Sequence, residues 1–122
     1  MKNDEAIKVV RPFGPSIARV KIPNDLIEAL NNYVDKIISN EKKTKTLDLG
    51  NTLEGSVTQE LKLENDFITS SGYNKFLSDS VYTWIKLSEN KEIKNFNLIN
   101  TWIVRQFQNE YNPIHYHGGH VS

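Results

Sequence analysis

Three histidines, His115, His117 and His120, make up the whole histidine complement of this chain and fall within six residues of one another. In an extended strand, positions i and i+2 project from the same face, so His115 and His117 aim their imidazoles at one point. Two imidazoles presented together suit Fe(II), Co(II), Ni(II), Cu(II) or Zn(II), and suit Mg(II) or Ca(II) poorly. Gly118-Gly119 lets the backbone turn tightly, so His120 either folds back or points away. The blander alternative is a set of polar residues near one end of the chain. Gathering every histidine into one short segment favours metal ligation over it.

Other side chains offer less. Asp48, Glu54, Glu60 and Glu64 lie in and near one predicted strand, with no pairing that singles out an acid–base dyad, and are expected on loops or the solvent face. Gly50 and Gly55 bracket a short loop that lacks the Gly-Lys-Ser/Thr ending of a phosphate-binding loop. The run Glu41-Lys42-Lys43-Thr44-Lys45 has an acid beside its bases and is expected as a solvated loop. With 15 basic and 15 acidic residues the formal net charge is zero, which gives no support to nucleic-acid or membrane-surface binding. The absence of cysteine removes disulfides and cysteine–zinc sites and makes a reducing, cytoplasmic setting the default. The charged start Met1-Lys2-Asn3-Asp4-Glu5 leads into no apolar stretch of secretory type, and no apolar run approaches the ~20 residues of a membrane span.

The elements that must position the histidines follow from periodicity. Residues 15–22 alternate, with Ala18, Val20 and Ile22 on one face and Ile17, Arg19 and Lys21 on the other, which predicts a strand. Pro23-Asn24-Asp25 punctuates the chain, and Leu26, Ile27, Leu30, Val34, Ile37 and Ile38 form the stripe of an amphipathic helix over 24–39. Residues 39–55 are polar and read as a loop. Val57, Gln59, Leu61 and Leu63 alternate with Thr58, Glu60 and Lys62 as a second strand. A mainly helical stretch follows over 66–88, with Gly72 separating a lead-in from the main helix. An aromatic and β-branched segment at about 98–107 predicts a further strand, Asn109 to Pro113 a turn, and Ile114–His117 the start of another strand. A chain of 122 residues holds one domain of this kind, 1–122. The order of elements predicts an α+β fold with helices bracing one face of a sheet. The last strand has no hairpin partner following it, an open edge that favours association of copies into a homo-oligomer.

The run TWIVRQFQNEYNPIHYHGGHVS, residues 101–122, resembles the segment before and at the metal motif of 2-oxoglutarate/Fe(II) oxygenases of the marine bacterial and phage type, relatives of the prolyl-hydroxylase group. In that family an aromatic-rich strand leads through an Asn-Pro turn to a His-x-His or His-x-Asp pair. The resemblance is close over these residues and, before them, rests only on the order of helices and strands. It implies helices packed on the first part of a double-stranded β-helix, or jelly roll, with Fe(II) and 2-oxoglutarate as cofactors. His115 then matches the first metal ligand, and His117 the position that is a carboxylate in the wider superfamily. An imidazole there removes a negative charge from the iron site. Arg105 and Phe107 fall on the strand whose counterpart lines the cosubstrate pocket, and the sequence does not decide which faces inward. Tyr111, Asn112 and Tyr116 read as packing and turn residues.

The family's third ligand, a distal histidine, and the basic residue that holds the 2-oxoglutarate carboxylate both lie C-terminal to this motif. The resemblance therefore implies the N-terminal portion of a dioxygenase whose core is incomplete within these residues. Two alternatives stand beside it. A cupin-type metal-binding protein also carries His-x-His on a strand, but expects a glutamate shortly afterwards, where Val121 and Ser122 stand. A non-catalytic oxygenase-like binding or structural module, for example of a phage, would leave the histidines without a catalytic role.

Overall fold

The structure, a computed structural model, describes residues 7–48 and 59–111. The elements run in the order β1 (Ile7–Val10), β2 (Ile17–Val20), α1 (Asn24–Ile38), α2 (Glu41–Leu47), β3 (Gln59–Lys62), α3 (Asn65–Ser70), α4 (Tyr73–Glu89) and β4 (Trp102–Arg105). The fold is α+β, and the described strands form two separate antiparallel pairs, β1–β2 and β3–β4. The chain divides into two compact units, Met1–Lys36 with Glu64–Ile99 and Ile37–Leu63 with Asn100–Ser122.

In the first unit the β1–β2 hairpin pairs Ile7 with Val20 and Val9 with Ala18. These residues form the inner face, and Ile7 is buried. The predicted alternation over 15–22 is thus realised in β2, whereas β1, with three apolar residues in four, is too short to announce itself. The hairpin loop is tied to the end of α4 by Arg11, which donates to the Ser88 carbonyl and the Glu89 carboxylate, both at 2.7 Å. A cation fits there because the last carbonyls of a helix are unpaired and carry partial negative charge. At the loop's other side the Trp84 indole N–H donates to Ser16 Oγ at 2.9 Å.

The predicted helix over 24–39 is α1. Its first turn is closed by the Ile27 N–H donating to the Pro23 carbonyl at 3.1 Å, and Asp25 Oδ1 accepts the Leu26 N–H. Leu26 and Ile37 are buried, but Ile27, placed on the stripe by the sequence, is 40% exposed. The stretch over 66–88 divides at Gly72, as expected. Gly72 has φ +83°, a left-handed conformation that a side chain strains, and α3 ends before it while α4 begins after it. Tyr33 of α1 stacks on Phe67 of α3 with ring centroids 3.9 Å apart. Its hydroxyl donates to Glu64 Oε1 at 2.9 Å and accepts the Glu64 N–H at 3.1 Å, serving the start of α3, which has no side-chain cap of its own. Burial is the main reason the Tyr33 phenol is pushed up to about 12.

In the second unit the expectation of a loop over 39–55 is corrected in its first half. Residues Glu41–Leu47 form α2, with the Asn40 side chain accepting the Lys43 N–H as an N-cap. Thr44 Oγ1 adds a bond to the Ile37 carbonyl at 2.7 Å. None of α2 is buried, so it has no apolar stripe and only its cap betrays it. The run Lys42-Lys43-Thr44-Lys45 is therefore a solvated helix. The strand expected over 57–63 is observed as β3, and Leu63 extends its pairing by donating to the Thr101 carbonyl at 2.9 Å. Leu61 and Leu63 are the buried apolar face of this unit, at 1% and 2% exposure.

Candidate metal centre

β4 is the described strand that precedes the predicted histidine motif, and β3 pairs with it. Their register sets Gln59 opposite Arg105, Glu60 opposite Val104, Leu61 opposite Ile103 and Lys62 opposite Trp102. On the other edge of β3, Asp48 forms a single antiparallel bridge to Leu61. β3 is thus the inner strand, with neighbours on both edges.

After β4 the chain turns at Gln108-Asn109. Asn109 takes φ +68°, a conformation that asparagine tolerates better than most residues. The turn is closed by Glu110 N–H donating to the Phe107 carbonyl and by Phe107 N–H donating to Glu110 Oε1, both at 3.1 Å. The Gln106 amide adds a bond to the Glu110 carbonyl. The turn expected over Asn109 to Pro113 overlaps it only in part, and Asn112 and Pro113 lie outside the described residues. Arg105 is half-buried, Phe107 is 50% exposed, and the guanidinium carbon sits 5.1 Å from the Phe107 ring centroid. That contact is a cation–π pair. Of the two residues, Arg105 is the one turned inward.

His115 and His117, the predicted metal ligands, lie outside the described residues, as do His120, Asn112 and Tyr116. Among the described residues no group of three or more His, Cys, Asp or Glu side chains is arranged to hold a metal ion.

The residue that sequence reasoning passed over is Glu60. Alternation on β3 puts it with Lys62 on the polar face, and the expectation was solvent. The structure corrects this: Glu60 is 4% exposed, its Oε2 has no hydrogen-bond partner, and Lys62 beside it is exposed. Its backbone N–H donates to Asp48 Oδ1 at 3.4 Å. A buried polar atom left unpaired costs about 1–3 kcal/mol, and more when the group is charged. Thr101 Oγ1 is a second buried atom without a partner in this unit. Glu64 behaves differently, since it is bonded to Tyr33.

A concavity of about 450 Å³ lies in the first unit between α4 and the segment after it, lined by Tyr82, Thr83, Lys86, Leu87, Glu92 and Ile93. Its charged groups, Lys86 and Glu92, pair with each other at 3.5 Å, and it contains no nucleophile or imidazole set for chemistry.

The chain matches no protein-family model, no curated protein and no solved structure. The chemistry of its own donors is therefore what bears on the metal. By donor type alone, the imidazoles of His115 and His117 suit Fe(II).

Proposed function

We propose that this chain is the N-terminal portion of a 2-oxoglutarate- and Fe(II)-dependent dioxygenase that hydroxylates its substrate, with His115 and His117 holding the metal. The observation that carries this reading is the pairing of two same-face imidazoles directly after an aromatic strand and an Asn-Pro turn. The described strand β4 supports it, because it lies where that motif needs an aromatic-rich strand. In the proposed fold, β3 and β4 belong to the first part of a jelly roll, and the helices brace it.

Bound iron and 2-oxoglutarate supply the oxidising chemistry: O2, 2-oxoglutarate and a C–H bond become succinate, CO2 and an alcohol. The chain's own part is to bind and to exclude water. His115 and His117 present neutral nitrogen lone pairs to the ion, which ties binding to a pH above the imidazole range. Leu61 and Leu63 keep one face of the sheet dry.

Anaerobic calorimetry with Fe(II), on the native chain and on a His115→Ala variant, tests the reading. Saturable binding that His115→Ala weakens by about tenfold or more is expected for loss of a direct ligand. Equal binding by both proteins contradicts the site and favours the non-catalytic module. Addition of 2-oxoglutarate to the Fe(II) protein then separates an oxygenase site from a plain metal site. A charge-transfer absorption band is expected only where the cosubstrate chelates the iron.

A further inference from the structure

We propose that the outer face and tip of the β1–β2 hairpin form a docking surface for an anionic lipid membrane. The inference is independent of the metal site proposed above. The whole chain is neutral, but its charges are not evenly spread. Residues 7–21 hold four basic side chains, Lys8, Arg11, Arg19 and Lys21, and no acidic one. With Ile7, Val9, Ala18 and Val20 turned inward, alternation sets Lys8, Val10, Ile17 and Arg19 on the outer face, and all four are exposed. Register places Val10 opposite Ile17 and Lys8 opposite Arg19. Like charges directly across a strand pair destabilise it, and an anion at this face relieves them. Among the described residues no carboxylate forms an ion pair with Lys8, Arg19 or Lys21.

The free end of the hairpin is apolar. Phe13 is 95% exposed at its tip, and Val10 and Ile17 behind it are 51% and 54% exposed. The loop that presents Phe13 is braced. Arg11 donates to the Gly14 carbonyl at 3.3 Å and to the end of α4, and Ser16 Oγ accepts the Trp84 indole N–H. Pro12 and Pro15 restrict the backbone on either side. A loop held in this way loses little freedom when a partner covers it. Arg11 is turned onto Ser88 and Glu89, so its charge is answered within the protein and the tip itself projects apolar groups.

The order of these layers selects the occupant. Phe13 leads, the Val10–Ile17 pair follows, and the Lys8–Arg19 pair lies about 7 Å further back along the strands. An apolar element at a membrane interface reaches about 5–10 Å into the boundary between headgroups and acyl chains, which sets this pair of cations level with anionic headgroups. A second copy of the chain, docked by the same face, would set these cations against their own kind. A nucleic acid is held chiefly through its phosphates, whereas the leading groups of this hairpin are apolar.

The test is flotation of the full chain with vesicles of equal parts phosphatidylserine and phosphatidylcholine, and with vesicles of phosphatidylcholine alone. Binding is expected to the first and not to the second, and it should fall with added salt. Phe13→Ala is expected to weaken binding by about tenfold or more. Lys8→Gln and Arg19→Gln are each expected to weaken it about fivefold. Melting temperatures should hold or rise in all three variants, because the side chains are exposed and the two cations oppose each other. Phe13→Trp should bind like the native chain and show emission quenched by brominated acyl chains beyond any quenching of the native chain. Failure to bind the mixed vesicles, equal binding to both vesicle types, or binding that Phe13→Ala leaves unchanged overturns the proposal. A labelled DNA duplex bound in a Phe13-dependent way, or a dimer that Phe13→Ala splits, would then identify the occupant instead.

Discussion

The two units of this molecule treat their polar groups in opposite ways. In the unit of β1, β2, α3 and α4, the polar groups at the junctions between elements are answered. Arg11 bonds the end of α4, the Trp84 indole bonds Ser16, Tyr33 serves both the side chain and the backbone of Glu64, and the buried Ser80 hydroxyl donates to the Phe76 carbonyl. In the unit of α2, β3 and β4, two buried oxygens, Glu60 Oε2 and Thr101 Oγ1, have no partner. A protein that leaves a carboxylate oxygen orphaned beside Leu61 and Leu63 gives up stability there. The contrast sets a unit whose polar junctions are paired against one with two buried oxygens unpaired among the described residues.

The largest effect should come from the second unit's small apolar face. Leu61→Ala removes its most buried side chain and should cost about 2–5 kcal/mol, a large share of a typical domain's 5–15 kcal/mol. Urea denaturation would show this as a lower midpoint. A change under about 1 kcal/mol would mean that Leu61 does not anchor a core.

Within the scaffold, Tyr33→Phe keeps the stack on Phe67 and removes both bonds to Glu64, so a loss of about 1–2 kcal/mol is expected by the same assay. The Tyr33 phenol also sets an alkaline limit. Its folded value of about 12 stands above the ordinary 10.0, so its contribution is complete below pH 10 and is lost as pH rises from there towards 12. Burial also raises Tyr73, so ultraviolet titration should find one late-ionising tyrosine fewer in Tyr33→Phe than in the native chain.

The smallest effect concerns the exposed Arg11–Glu89 tie. Its hydrogen bond and the Arg11 charge hold the Glu89 carboxyl below its ordinary 4.5. A lowered carboxylate value means that the tie is complete above that pH and is lost as pH falls through the lower folded value. Melting temperatures of native and Glu89→Gln chains should therefore differ slightly at neutral pH and converge in acid. A gap that persists at low pH would assign the difference to something other than charge.

Particular residues show what was legible in the sequence. α1 was, because Asp25 starts it and a long apolar stripe sustains it; only Ile27 departs from the face assigned to it. The split at Gly72 was legible because a left-handed backbone position favours glycine. α2 was not, since a seven-residue helix with no buried side chain leaves no periodic signal and depends on the Asn40 cap. β1 was hidden by its length and by having apolar residues on both faces. For the candidate site, strand β4 was readable from its β-branched and aromatic residues. Glu60 was not, because alternation assigns a face but cannot say whether that face is covered. Asp48 bridging the far edge of β3 makes that strand an inner one, and Asp48 is too distant in sequence for any local pattern to reveal it.

The central claim is that His115 and His117 bind one metal ion together. The most direct measurement is the histidine side-chain NMR spectrum of the full chain during titration with Zn(II), which is diamagnetic and takes the same nitrogen ligands. Three imidazoles give a spectrum simple enough to assign by single substitutions. The account predicts that the His115 and His117 signals shift together and saturate at one ion per chain, and that His115→Ala abolishes the response of His117. Independent shifts of the two signals, or no saturable shift of either, would contradict it.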